Sequence, residues 1–137
     1  MAFVLHPRLM ADTAVIVDWS LSRVLLMNDR RFPWVVLVPR RPNAIELFDL
    51  DAASRATLSN EIARAAERLK DWARTRGGSD KMNIGAIGNL VPQLHVHVVS
   101  RRRGDALWPG TVWGAGPGEH YGAAELMRVV SDLRDSL

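Results

Sequence analysis

The chain has no cysteine, a single tyrosine and only two lysines. The missing cysteine excludes a disulfide framework and any thiolate metal site. None of the apolar runs approaches the roughly 18 residues of a membrane-spanning helix, so no membrane partner is expected. The opening stretch MAFVLHPRLMADTA lacks a basic start followed by a long apolar run. No secretory leader is therefore expected, and a cytoplasmic location is the default. Because lysine is scarce, sixteen of the eighteen basic residues are arginine, against fifteen acidic residues, for a net charge of +3. So small an excess does not point to nucleic acid. Arginine's planar fork suits a small anionic ligand, although a solvated arginine-rich surface has the same composition.

What is present is enough for one ordinary core. The 137 residues are 47% hydrophobic and 24% charged, which fits one globular domain over residues 1–137. Three β-branched, apolar segments, 14–20, 23–29 and 34–40, read as strands, with Asp-Arg-Arg-Phe-Pro as a turn and Pro39 ending the third. Asp51 or Ser54 is placed to cap a helix in which Leu58, Ile62, Ala65, Leu69 and Trp72 recur at helical spacing for about six turns. Two glycines at 77 and 78 stop it. Segments 81–87 and 93–101 follow as strands, separated by the turn Gly-Asn-Leu-Val-Pro. Residues 101–120 form a long loop rich in glycine and containing Trp108 and Trp113, a length that points to function. A closing helix over 123–137 turns Leu126, Val129, Val130 and Leu133 inward. Hairpin-paired strands with helices set the class as α+β, one antiparallel sheet of about five strands with a long helix and a C-terminal helix.

Two of the four histidines fall in Gln93-Leu94-His95-Val96-His97-Val98-Val99. Side chains two apart in a strand share a face, so Gln93, His95 and His97 are expected together, with Leu94, Val96 and Val98 in the core. Three readings fit that face. One is a half-buried strand that happens to carry histidines. Another is zinc, but a catalytic zinc site wants a third protein ligand and the stretch holds no acidic residue. The third is nucleophilic chemistry: a neutral imidazole, oriented through its other ring nitrogen, attacks phosphorus while a second imidazole assists. The turn 88–92 offers backbone N–H groups for phosphate oxygens.

The stretch resembles the motif of the histidine triad family, His-φ-His-φ-His-φ-φ with φ apolar, in which small α+β proteins act as nucleotide hydrolases and transferases. The likeness extends to RVLLMNDRRFPWVVLVPRRPNAIELFDLD and to KMNIGAIGNLVP, and covers about residues 14–114. It implies that His95 is a nucleophile toward a nucleotide α-phosphate and that His97 assists the leaving group. It further implies that Asn28 contacts ribose, and that Asn83, Asn89 and Arg101 lie near phosphates. No cofactor or metal is implied, and a homodimer is. The substrates implied are dinucleoside polyphosphates or nucleoside phosphoramidates. Gln93 replaces the family's first histidine. Gln93 is counted in the catalytic set: glutamine donates and accepts hydrogen bonds but cannot take up a proton near neutral pH, so the covalent step need not fail, and what the replacement bears on is the orientation of the two imidazoles and hence the rate. A catalytically weakened nucleotide-binding module is the alternative. Trp19, Trp34 and Trp72 are assigned to packing, and His6 to the surface of the N-terminal segment.

Overall fold

The computed structural model describes residues 2–137. Five strands form one antiparallel sheet: β1 (Thr13–Asp18), β2 (Ser22–Met27), β3 (Trp34–Pro39), β4 (Lys81–Gly85) and β5 (Val96–Arg101), in the order β1-β2-β3-β5-β4. The sequence predicts a strand at each of these places. The long helix α2 (Ala52–Arg74) and the C-terminal helix α3 (Ala123–Ser136) are also where the periodicity puts them. Asp51 is the N-cap of α2, its carboxylate accepting from Ser54 N at 2.7 Å.

All six residues of β3 are buried, because the sheet is covered on both faces. On one face Val24, Leu26, Val35, Leu37 and Val98 pack against Ala65 and Leu69 of α2 and Leu133 of α3. Residues of the opposite parity, Leu25, Trp34, Val36, Val38 and Val99, form the second face. That face is covered by Leu5 and Leu9 of the N-terminal segment and by Val112 of the long loop. Each aliphatic side chain removed from water this way contributes roughly 1.5–3 kcal/mol.

Two features went unread in the sequence. A short helix, α1 (Pro7–Asp12), precedes the sheet; His6 is its N-cap, accepting from Arg8 N through Nδ1. Proline at the first helical position and a polar residue before it were the available signals. Glu61, inside α2, is buried and accepts from Leu21 N and Ser22 N, which anchors the turn between β1 and β2 to the helix.

The fifth strand also starts later than its alternation suggests. It begins at Val96, not residue 93. The β3 register ends at the Leu37–Val96 pair and the β4 register at Gly85–His97, so 93–95 have no ladder partner. Instead Leu94 N donates to Ala44 O, and the Gln93 carbonyl is taken up by the ring of His95.

Candidate functional site

The two imidazoles sit on the sheet face away from α2. Their ring centroids are 5.0 Å apart, and both side chains are buried. His95 Nδ1 lies 2.6 Å from Gln93 O. A carbonyl only accepts, so Nδ1 carries the proton, and the neutral ring keeps a bare lone pair on Nε2. His97 is held the opposite way. Trp34 Nε1 donates to His97 Nδ1 at 3.1 Å. An indole N–H only donates, so His97 Nδ1 holds the lone pair and the ring proton sits on Nε2. One cleft thus receives a lone pair from the first ring and an N–H from the second.

Burial, with the neighbouring His95 second, pushes the His97 pKa down from 6.5 to about 4. This has a consequence for folding. As pH falls below 6.5 the unfolded chain takes a proton on this histidine and the folded chain does not, so stability drops until the folded-state pKa is reached. Between pH 7 and 4 the loss from His97 is expected to be roughly 3 kcal/mol. Urea denaturation of the wild type and of His97→Gln at the two pH values checks it. An equally steep pH dependence in the variant would count against it.

The cleft has a volume of about 530 Å³. Leu9, Trp34, Val91, Val112 and Trp113 give it apolar walls; Asn89 and Gly88 of the turn before β5, and Arg8 of α1, supply polar groups. A second lobe of about 330 Å³ shares Arg8, Met27, Trp34 and Val112 with it and is lined by Asn28 and His120. Asn28 Oδ1 accepts from Tyr121 N, which ties the end of β2 to the segment entering α3. Asn28 and Asn89 therefore stand at the cavity.

Gln93, Asn83 and Arg101 stand elsewhere. The Gln93 side chain does not join the two rings: Oε1 accepts from His6 N and Nε2 donates to Val4 O, each at 2.8 Å. Because 93 lies before the strand, its amide turns to the N-terminal segment and clamps it; its backbone carbonyl, not its side chain, orients His95. The bracket holds the segment that leads into α1 and so sets where Arg8 and Leu9 meet the cleft. His6, assigned to the surface from the sequence, is half-buried in this clamp.

Arg101 does not line either lobe of the cavity. Its side chain is 1% exposed and fully engaged: Nε and Nη2 donate to the two oxygens of Asp105 at 2.8 and 2.9 Å, and Nη1 donates to Gly110 O and Asn83 Oδ1. Asn83 is turned to that guanidinium and does not line the cleft. Burial raises the Asp105 pKa, but the hydrogen bonds from Arg101, Arg102 N and Leu107 N outweigh it and hold the carboxyl below its ordinary value. The pair fastens the long loop, which then brings Val112 and Trp113 to the histidines; Trp113 lies 5.8 Å from the His97 ring. Arg8, a residue the sequence reading passed over, is the guanidinium at the cleft.

Residues 8–104 match the family model described as HIT domain. The chain belongs to the histidine triad family. No curated protein matches it. A histidine triad protein of Bradyrhizobium japonicum is 47% identical, with 99% of this chain and 98% of that one covered, at a TM-score of 0.91. Histidine triad proteins of Sinorhizobium meliloti and Marinobacter aquaeolei are 41% and 40% identical, at TM-scores of 0.90 and 0.88. The first covers 98% of this chain and 97% of its own, the second 100% and 97%.

Membership of the histidine triad family supports a nucleotide-binding, hydrolase-type function in general terms. Among the described residues no group of three or more histidines and acidic residues is arranged to hold a metal ion. No helix among them is long and apolar enough to cross a membrane.

Proposed function

We propose that this histidine triad protein hydrolyses nucleotides at the α-phosphate through a covalent nucleotidyl-histidine on His95. One observation carries the reading: the two rings present complementary nitrogens to one cleft, a lone pair on His95 Nε2 and an N–H on His97 Nε2. In the first step His95 Nε2 bonds to phosphorus, and the bond from phosphorus to the leaving group breaks, its electron pair going to that group. His97 Nε2–H donates a hydrogen bond to the departing atom. In the second step water attacks phosphorus, the P–N bond breaks with its electron pair returning to His95 Nε2, the proton of the water passes to solvent, and the nucleoside monophosphate is released with His95 restored. Positioning both groups before reaction is worth several orders of magnitude in rate.

The two lobes divide the substrate. The α-phosphate sits against the histidines and the turn 88–92, where Asn89 and backbone N–H groups meet it, with Arg8 supplying the positive charge. The nucleoside extends past Met27 and Trp34 to Asn28, whose amide takes the ribose hydroxyls. A homodimer belongs to the same reading. Strand β4 ends the sheet, and Ile84 within it and Ile87 just past its end are half exposed, an apolar edge of the kind a second copy pairs with. The weakened-module alternative draws no support from Gln93, whose side chain lies outside the cleft.

The test is direct. The protein is mixed with a diadenosine polyphosphate, quenched in base after milliseconds to seconds, digested and weighed. An adenylate mass on the peptide bearing His95 is the expected result. Turnover with no adduct at any time would replace the covalent route by direct attack of water, and the lack of both would remove the hydrolase reading.

A further inference from the structure

We infer that Trp34, through its hydrogen bond to His97, restricts this site to leaving groups that depart as anions, so that its substrates are nucleoside phosphoanhydrides and not nucleoside phosphoramidates. The inference rests on the hydrolase reading above and narrows it.

The argument is one of proton supply. When a phosphoanhydride is cleaved, the electron pair of the breaking P–O bond stays on a phosphate oxygen, which is stable as an anion and needs no proton. When a phosphoramidate is cleaved, the pair would stay on nitrogen, and an amine leaves only if a proton reaches that nitrogen as the bond breaks. His97 is the group beside the departing atom. As a neutral ring it donates a hydrogen bond from Nε2, but surrendering that proton would leave an imidazolate. To act as an acid it must first hold protons on both nitrogens. Its Nδ1 is 3.1 Å from Trp34 Nε1, and both are buried. A proton on Nδ1 would set N–H against N–H with no water to separate them, which costs the hydrogen bond and leaves a buried donor unpaired.

No other group facing the rings replaces it. His95 is spent as the nucleophile. Arginine, here Arg8, offers hydrogen bonds and is not a general acid. Asp12 is a carboxylate 3.8 Å from Arg8. Gln93 has no proton to give, and its amide is bound to Val4 and His6. His120 lines the second lobe, beside Asn28, and not the lobe holding the two rings. Toward the leaving group Trp34 is thus a positioning residue: its ring walls the cleft, and its N–H decides which proton inventory His97 has.

The experiment compares kcat/KM for a diadenosine polyphosphate and for an alkylamine phosphoramidate of AMP, in the wild type, in Trp34→Phe and in His97→Gln. The wild type is expected to favour the anhydride by at least about a hundredfold, the usual worth of a missing general acid. Trp34→Phe removes the opposing N–H, and the preference is expected to fall at least about tenfold, with phosphoramidate turnover now rising toward low pH. His97→Gln lowers both activities and keeps their ratio within about threefold of the wild type, because glutamine also donates without being an acid. Nitrogen-15 NMR of the wild type should show His97 protonated on Nε2 alone at pH 7, and that pattern should be lost in Trp34→Phe. Equal turnover of both substrates by the wild type overturns the inference and leaves the hydrolase reading standing. So does a ratio unmoved by Trp34→Phe, or one that climbs in His97→Gln. Turnover of neither substrate removes the hydrolase reading, and this inference with it.

Discussion

Alanine at His95 is expected to lower nucleotide turnover by at least about 10⁴-fold while leaving nucleotide binding in place. The reason lies in the neighbouring ring. His97 cannot substitute as nucleophile, because its lone pair on Nδ1 accepts from Trp34 and the nitrogen left over carries the proton. Loss of His95 therefore removes the only bare ring nitrogen in the pair. The apolar walls of the cleft, Leu9, Trp34, Val112 and Trp113, remain when that ring is removed. The check is steady-state kinetics beside a binding titration followed by the fluorescence of Trp34 and Trp113. In His95→Gly, added imidazole is expected to restore part of the rate by filling the vacated space. Turnover within tenfold of the wild type in the alanine variant would sink the nucleophile assignment.

Much of this site is legible in the sequence, and the residues that are not share a cause. The motif brings out His95 and His97; the period-two alternation holds on β5 from Val96 and fails before it, yet the two rings still meet, 5.0 Å apart. Asn28 and Asn89 follow from the family resemblance and do reach the cavity. Arg101 was misread because a run of three arginines looks the same in a sequence whether it is solvated, bound to phosphate or buried. What decides it is Asp105, four residues on, folded back by the turn after β5. Asn83 was lost with it. Trp34 was assigned to packing, and it does pack; its N–H bond to His97 spans 63 positions in the chain, a distance over which no local pattern speaks. Arg8 went unnoticed for a similar reason, since α1 is only six residues long and is brought to the cleft by a segment clamped from position 93.

Gln93 shows how a departure from a motif is reread once the backbone is known. On a regular strand it would stand beside the two rings, and its inability to carry a proton would be a defect. The chain instead enters β5 only at Val96, so the residue at 93 contributes its carbonyl to His95 and its amide to the N-terminal segment. Both tasks call for hydrogen bonds and neither for a titrating group. A primary amide carries its acceptor and donor side by side on one carbon and matches the paired His6 N and Val4 O, whereas the two nitrogens of an imidazole point well apart. The substitution thus fits a site that runs without a proton relay.

Asp105→Ala is expected to destabilise the fold by roughly 3–5 kcal/mol, the cost of leaving a buried guanidinium without its counter-charge. Arg101 would keep Asn83 Oδ1 and Gly110 O, but lose both carboxylate oxygens of Asp105, which also receive Arg102 N and Leu107 N. The loop would loosen where it is pinned, at 102–110, and with it the wall made by Val112 and Trp113. The raised KM that follows is a packing effect, since Asp105 itself does not line the histidine cleft. The double variant Arg101→Met/Asp105→Leu separates the two accounts of Arg101. Apolar residues of similar size in place of the whole pair remove the unpaired charge, so the double variant is expected to be more stable than Asp105→Ala and to recover most of the wild-type KM. Were Arg101 a phosphate ligand, the double variant would bind nucleotide as poorly as Arg101→Met alone, however stable it proved. Urea denaturation and KM measured on the same three proteins decide between them.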